Sequence, residues 1–457
     1  MLSLVKRKFL ILITLGSALL SGLIVYILTD IAAKKQEAKS MYGHFVEITD
    51  ETDDPAQWGL NFPLQYEGYL KTVDQTRTKY GGSEAVPRMP TQGDPRSHVA
   101  QSRLEEDPRL KTLWAGYAFA VDFREERGHA FMLTDQMYTD RQHVAKQPGT
   151  CLNCHASTYV AMKKLGDGDI FKGFSAMNHM SYFDAAKHVS HPVSCIDCHT
   201  PKTMELRVTR PAFIEGIKAY KASQGIKEYD IQKMASHQEM RTYVCAQCHV
   251  EYYFKGPEKR LTFPWANGIK ADQIFSYYQN DGHKDWVHAI SGAPVLKAQH
   301  PEFEMYSQGI HARSGVSCTD CHMPYEKVGA AKITNHHVQS PVLNLSKACQ
   351  TCHRWPESEL RLRIEQIQDR TFEMRGVAMD ALTQFIQELG ANKDKIKDKK
   401  TLDSIYTHQR QAQFYLDFIE AENSMGFHAP GESLRILGLS MDSILKGQKE
   451  LNKAVKY

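Results

Sequence analysis

The sequence predicts a mainly α-helical fold with little β structure, an N-terminal transmembrane helix and long C-terminal helices. Three observations predict it. Residues 9–29 contain no charged side chain. After residue 353, apolar residues recur every three or four positions, which is the spacing of one helix face. Between these parts, residues 66–353 show no long alternation of polar and apolar residues of the kind that predicts strands.

The N-terminal apolar segment is long enough to span a membrane. At about 1.5 Å per residue, a helix over residues 9–29 reaches roughly 30 Å, the thickness of a bilayer core. A basic cluster at residues 6–8 precedes it and is expected to stay inside, so the rest of the chain is exported. A cleaved signal is the alternative, with residues 32–33 as its candidate cleavage site. Residues 1–33 are therefore an anchor or a signal, and we favour the anchor.

All ten cysteines belong to five Cys-x-x-Cys-His motifs. Two thiols at this spacing bond to one haem, and the following histidine binds the iron. The motifs consist of Cys151, Cys154 and His155; Cys195, Cys198 and His199; Cys245, Cys248 and His249; Cys318, Cys321 and His322; and Cys349, Cys352 and His353. Because no cysteine is left over, a zinc site or a disulfide framework is disfavoured. The sequence predicts a multihaem cytochrome c with five covalent haem c groups, in the periplasm and tethered to the inner membrane.

Beyond the motifs, the sequence predicts long helices over residues 360–389, 402–424 and 432–453. Gly390 is expected to end the first of them. Helices with an apolar stripe pack on their own domain or pair with the same helix of a second subunit. The predicted units are residues 1–33, residues 34–353 as a pentahaem catalytic domain, and residues 354–457 as a long-helix region and homodimer interface.

The ligands of each iron decide the function. An iron with two protein ligands carries electrons, whereas an iron with an open position binds substrate. The chain has 21 histidines, and those outside the motifs are candidates for the second ligands. The formal net charge of only +3 gives no sign of nucleic-acid binding. The residues alone thus leave a redox enzyme and an electron-transfer cytochrome open.

Several stretches, in a fixed order, resemble the cytochrome c nitrite reductases, which are pentahaem, ammonia-forming enzymes. The resemblance covers the chain from about residue 40 to its end. The stretches are residues 245–254 (Cys-Ala-Gln-Cys-His-Val-Glu-Tyr-Tyr-Phe), 262–265 (Thr-Phe-Pro-Trp), 296–302 (Leu-Lys-Ala-Gln-His-Pro-Glu), 309–311 (Gly-Ile-His), 116–119 (Gly-Tyr-Ala-Phe), 127–129 (Arg-Gly-His) and 428–430 (His-Ala-Pro).

The resemblance implies that Arg141, Tyr252 and His300 line the open face of the first haem. Arg141 follows Thr134 and Asp135, with a shorter loop to the first motif than is usual in the family. Arginine offers nitrite a permanent positive charge, histidine can supply protons near neutral pH, and tyrosine offers a hydroxyl donor.

The resemblance also implies a calcium ion beside this haem. Its ligands would be the Glu251 carboxylate, the Gln299 side-chain oxygen and the backbone carbonyls of Tyr252 and Lys297, a set of hard oxygens that suits Ca²⁺. Four histidines stand at the family's distal positions and would complete the other haems: His129, His311, His336 and His428. His337 competes with its neighbour, and the sequence leaves open which distal histidine serves which haem.

One motif departs from the family's common pattern. Most relatives carry lysine after the first pair of cysteines, whereas this chain has His155, as some members do. Axial ligand identity tunes the potential and reactivity of a haem. The identification of the catalytic haem therefore depends on Arg141, Tyr252 and His300.

The function implied is the six-electron reduction of nitrite to ammonium at one high-spin haem c, fed by four bis-histidine haems. A membrane quinol-oxidising multihaem cytochrome would donate the electrons. Two alternatives stay open: a pure electron-transfer cytochrome, and a related multihaem reductase acting on hydroxylamine or sulfite.

Overall fold

The computed structural model describes residues 2–40, 45–82, 84–329 and 331–456. Its helices are α1 (Leu2–Ser40), α2 (Pro55–Asn61), α3 (Pro63–Leu70), α4 (Arg103–Glu106), α5 (Arg109–Leu113), α6 (Met132–Tyr138), α7 (Arg141–Ala145), α8 (Leu152–His155), α9 (Tyr159–Leu165), α10 (Ile170–His179), α11 (Tyr182–Ala186), α12 (Cys195–Cys198), α13 (Pro211–Ser223), α14 (Ile231–Met234), α15 (His237–Ala246), α16 (Ala271–Asp281), α17 (Glu302–Tyr306), α18 (Ile310–Arg313), α19 (Cys318–His322), α20 (Leu345–Ala348), α21 (Glu357–Asn392), α22 (Lys399–Glu420) and α23 (Pro430–Lys456).

The described residues form four small antiparallel sheets of two strands each. They pair β1 (Val86–Pro87) with β2 (His98–Val99), β3 (Tyr253–Lys255) with β4 (Arg260–Thr262), β5 (Trp286–Val287) with β6 (Pro294–Val295), and β7 (Tyr325–Val328) with β8 (Ala331–Thr334). The prediction of a mainly helical fold with little β structure is confirmed.

The N-terminal helix α1 contains the predicted apolar segment. Residues Lys6–Lys34 are long and apolar enough to cross a membrane, and none of this span is buried against the rest of the protein. The predicted apolar helix is therefore present in the structure. Its role as an uncleaved anchor stays a prediction.

Two of the haem motifs owe their local shape to capping boxes. Ser194 and Asp197 exchange hydrogen bonds around the start of α12, and Ser317 and Asp320 do the same at α19. In both helices the aspartate lies between the two cysteines. The capping box thus fixes the single helical turn that separates the two thiols.

The C-terminal helices α21, α22 and α23 pack against one another. The prediction that Gly390 ends the first was wrong, because α21 continues to Asn392. Gly390 instead permits a close approach, since a Cβ there would lie 2.6 Å from Ile290 Cγ2. The second helix begins at Lys399, where the Asp398 side chain caps it. It ends at Glu420, four residues before the predicted end.

One hydrophobic core includes residues on both sides of residue 353. Trp114 and Trp265 belong to it together with Leu382 and Phe418 of the C-terminal helices, and all four are fully buried. Other side chains of α21 are exposed, since the exposed fractions of Leu362 and Val377 are 51% and 53%. The C-terminal helices therefore help to form the core and leave several apolar side chains on the surface.

Candidate functional site

A single cavity of about 2710 Å³ connects the five motifs. All ten cysteines and all five motif histidines line it, together with the four predicted distal histidines. Ten thiols and nine imidazoles around one large interior space fit a set of haems that share a core.

Four of the motif histidines each face one of the predicted distal histidines. The ring centroids are 6.4 Å apart for His129 and His249, 6.3 Å for His199 and His336, 6.2 Å for His311 and His353, and 6.4 Å for His322 and His428. A metal–imidazole bond is about 2 Å long, and the ring centre lies roughly 1.2 Å beyond the bound nitrogen. The ring centres of two imidazoles on opposite sides of one iron would therefore be about 6.4 Å apart. Each pair therefore fits two axial ligands of one haem.

The other ring nitrogen of several of these histidines is held by a hydrogen bond. Nδ1 of His199, His322 and His336 donates to a backbone carbonyl oxygen at 2.8, 3.0 and 2.8 Å, respectively. Nδ1 of His428 lies 2.6 Å from the Glu422 carboxylate. Metal-bound histidines usually donate their other ring N–H in this way, which leaves Nε2 for the metal.

His336 and its neighbour His337 have different surroundings. His337 Nε2 donates to the Asp74 carbonyl oxygen at 3.1 Å, and this side chain does not line the cavity. His336 lines the cavity and faces His199. The geometry therefore favours His336 as the distal ligand.

His155, in the first motif, differs from the other four motif histidines. Within the described part of the chain, no histidine ring forms a pair of this kind with it. Burial lowers the pKa of His155 to about 4, and the nearby His300 and Arg141 add to this effect against the opposing charge of Glu126. The structure thus brings two of the three predicted catalytic residues near the one motif histidine without a partner.

Arg141 begins α7, and its guanidinium stacks on the Phe119 ring at 4.3 Å. Its Nε is buried without a hydrogen-bond partner. Burial lowers the pKa of Arg141, while Asp122 and Tyr252 oppose the shift, and arginine keeps its charge in such sites. A cation with a buried, unpaired donor fits a small anion.

His300 lies on the same cavity wall and contacts a residue that the sequence did not reveal. Its Nε2 is 3.3 Å from Glu126 Oε1, and its Nδ1 is buried without a partner. Burial lowers the pKa of His300, and Glu126 opposes this. Glu126 was missed because nothing in the sequence links it to a residue so far along the chain.

The predicted calcium ligands meet beside this site. Glu251 is completely buried and accepts hydrogen bonds from the Tyr278 hydroxyl at 2.8 Å and the Gln299 backbone N–H at 2.6 Å. Gln299 Nε2 donates to the Lys297 carbonyl oxygen at 3.2 Å. Burial raises the pKa of Glu251 well above its usual range, and a bound cation would restore the carboxylate. One carboxylate among neutral oxygens fits Ca²⁺.

A buried ion pair fixes the segment that carries these ligands. Lys297 Nζ lies 3.1 Å from Asp417 of α22, and both side chains are almost fully buried. Asp417 also accepts hydrogen bonds from the Ala298 backbone N–H at 2.8 Å and from Trp114 Nε1 at 3.2 Å. In the sequence, Asp417 differs from its neighbours only as a charged residue between the apolar Leu416 and Phe418, which does not identify its partner.

The motifs contact one another in a definite order. Cys248 Sγ of the third motif lies 3.9 Å from the Asn153 carbonyl oxygen of the first motif, and α15, which carries Cys245, packs against α19 of the fourth motif. The third motif therefore joins the first to the fourth. Gln247 Nε2 donates to the Asp197 carbonyl oxygen of the second motif at 3.4 Å, and α19 of the fourth motif packs on α20, which precedes the fifth.

Comparison with known proteins gives consistent matches. A sequence model of the cytochrome c552 family matches residues 54–457. Proteins called cytochrome c-552 from Parabacteroides distasonis and Bacteroides thetaiotaomicron are 36% and 37% identical to this chain. These alignments cover 93% and 86% of this chain and 83% and 76% of the two relatives.

A solved structure is also similar over nearly the whole chain. It is the catalytic subunit of cytochrome c nitrite reductase from Desulfovibrio desulfuricans, described for the relevance of its two calcium sites. The TM-score is 0.76 at 30% sequence identity, and the match covers 90% of this chain and 88% of that one.

Proposed function

The chain belongs to the cytochrome c552 family, and from that premise we propose that it is a periplasmic nitrite reductase that forms ammonium. One observation supports this most directly. Four motif histidines each face a second histidine at about the spacing of two ligands on one iron, whereas His155 has no such partner in the described chain. The similar solved structure is named as a nitrite reductase, which agrees with this proposal.

Three side chains of the first motif's pocket would act on the substrate. Cys151, Cys154 and His155 would hold a haem, which would supply electrons to the bound substrate. Arg141 holds the nitrite anion and keeps it oriented. His300 donates protons, and Tyr252 offers its hydroxyl as a further donor.

The reaction needs six electrons and eight protons for each nitrite, and it yields one ammonium ion and two waters. The other four haems would carry the electrons. The third motif contacts the first and the fourth, so we place it last on the route to the site. A membrane quinol-oxidising multihaem cytochrome would be the donor, and α1 would keep the protein near it.

Exposed apolar side chains on α21 support a homodimer. Leu362, Phe372, Met374 and Val377 are between 40% and 53% exposed on this helix. Apolar side chains along one exposed helix are typical of a protein–protein contact. We propose that a second copy covers them.

The purified protein should carry five covalent haems, of which four are low-spin and one is high-spin. Mass spectrometry would count the haems, and electron paramagnetic resonance would give the spin states. Cyanide or nitrite should change only the high-spin signal. Five low-spin haems that bind no added ligand would instead identify an electron-transfer cytochrome. A comparison of nitrite with hydroxylamine and sulfite under steady-state conditions would test the choice of substrate.

Removing calcium should lower nitrite turnover more than it lowers haem content. Gln299 donates hydrogen bonds to the Glu251 carboxylate and to the Lys297 carbonyl oxygen, so these groups lie close together. A calcium ion bound to the Glu251 and Lys297 oxygens would hold residues 297–299 in place, and His300 follows them directly. The measurement is the reduction of nitrite by reduced viologen after chelation, with metal analysis and an absorbance spectrum. Full activity in metal-free protein would show that this ion has no role in turnover.

A further inference from the structure

The histidine pair of the fourth motif has a hydrogen-bond partner unlike the others. His428 Nδ1 lies 2.6 Å from Glu422 Oε1, and the Glu422 side chain is completely buried. His322, on the other side of the pair, and two further histidines of the cavity donate to neutral backbone carbonyls instead. Among the described residues, Glu302 Oε2 also lies 3.9 Å from His249 Nδ1, which is beyond hydrogen-bond distance. The fourth motif's pair is therefore the one of the four that has a carboxylate hydrogen-bonded to a ring nitrogen.

The chain around Glu422 is built to hold the carboxylate in place. Ser424 Oγ donates to Glu422 Oε2 at 2.8 Å, and the same hydroxyl accepts a hydrogen bond from the His428 backbone N–H at 2.9 Å. Gly426, with φ of 81°, allows this loop to lie against α21. A Cβ at Gly426 would be only 2.3 Å from Thr371 Oγ1.

Among the described residues, no lysine or arginine forms an ion pair with this carboxylate. In the described chain, the only ion-pair partner of Glu422 is His428. The nearby arginines, Arg103 and Arg375, both bind Glu420 instead. The negative charge of Glu422 is therefore directed at the histidine ring, in a buried setting where charge interactions are strong.

We propose that Glu422 is a positioning residue that lowers the reduction potential of the haem bound by His322 and His428. This inference rests on the proposed haem ligation. A carboxylate that accepts the Nδ1 proton makes imidazole a stronger donor to iron, which stabilises the ferric form. The fourth motif contacts the third, since α19 packs against α15, which carries Cys245. An electron on this haem would therefore pass readily towards the first motif.

The test is a redox titration of the complete holoprotein and its Glu422→Gln variant. Glutamine keeps an oxygen acceptor for Nδ1 and removes the charge. The expected result is an upward shift in the midpoint potential of one low-spin haem, with the other three unchanged. Absorbance and electron paramagnetic resonance would follow the low-spin haems separately from the high-spin one, so nitrite turnover is not the readout.

Two further variants control the experiment. Glu432→Gln removes a carboxylate of the same C-terminal segment, one that pairs with Arg435, and should shift no potential. Glu422→Asp keeps the charge and should restore at least part of the wild-type potential. An unchanged potential in Glu422→Gln would overturn the inference, as would a loss of the low-spin signal, which would mean that Glu422 only holds the ligand. Wild-type protein without four low-spin haems would contradict the proposed function itself.

Discussion

Replacing His300 with alanine should lower nitrite turnover by about 10²–10⁴-fold, the usual contribution of a positioned proton donor. The haem count should stay at five, because His300 pairs with Glu126 and not with a motif histidine. The measurements are steady-state ammonium formation and the haem absorbance of the same sample. Loss of a haem in this variant would identify His300 as an iron ligand and remove it from the proposed proton-donor role.

Arg141 provides a second probe of the same pocket. Arg141→Ala removes the buried cation, whereas Arg141→Lys keeps a charge but loses the planar group that stacks on Phe119. Both variants should bind nitrite more weakly, and alanine more so than lysine. His143→Ala is the matched control, because His143 is an exposed residue on the same helix. Unchanged kinetics in Arg141→Ala would show that another residue holds the anion.

The local features of this protein could be predicted from its sequence. A Cys-x-x-Cys-His motif needs only one helical turn, and the C-terminal helices depend on spacings of three and four residues. Both are short-range patterns, so their positions were found to within a few residues. The end of α21 was missed because Gly390 serves a contact with Ile290, which lies far away in the chain.

The partners within the site could not be predicted in the same way. Each histidine pair joins residues from distant parts of the chain, and only the folded cavity decides that His129 faces His249. Glu422 is close to His428 in sequence, yet its role depends on burial and on the absence of a neutralising cation. Carboxylates are common on the surface, so neither Glu422 nor Glu126 stood out before the structure.

Asp417 shows how a residue far from the iron ligands can control the site. Burial raises its pKa to about 6, against the pull of Lys297, and the two side chains form an ion pair at 3.1 Å. Through Ala298 and Lys297, it ties helix α22 to the segment that ends in His300. The C-terminal helices therefore support the proposed catalytic pocket as well as the proposed dimer.

Replacing Asp417 with asparagine should lower the free energy of unfolding by about 3–5 kcal/mol, since a buried lysine then loses its partner. Nitrite turnover should fall as well, because the segment carrying His300 is held less firmly. Thermal unfolding of the holoprotein and ammonium formation would measure the two effects. The matched control is the Lys297→Met change in the Asp417→Asn background, which removes the unpaired charge and should recover most of the stability. The losses of unfolding free energy in Asp417→Asn and in Lys297→Met alone can then be compared with the loss in the double variant. If the two single losses add up to the double one, the pair is not coupled, and Asp417 acts through Trp114 or Ala298 alone.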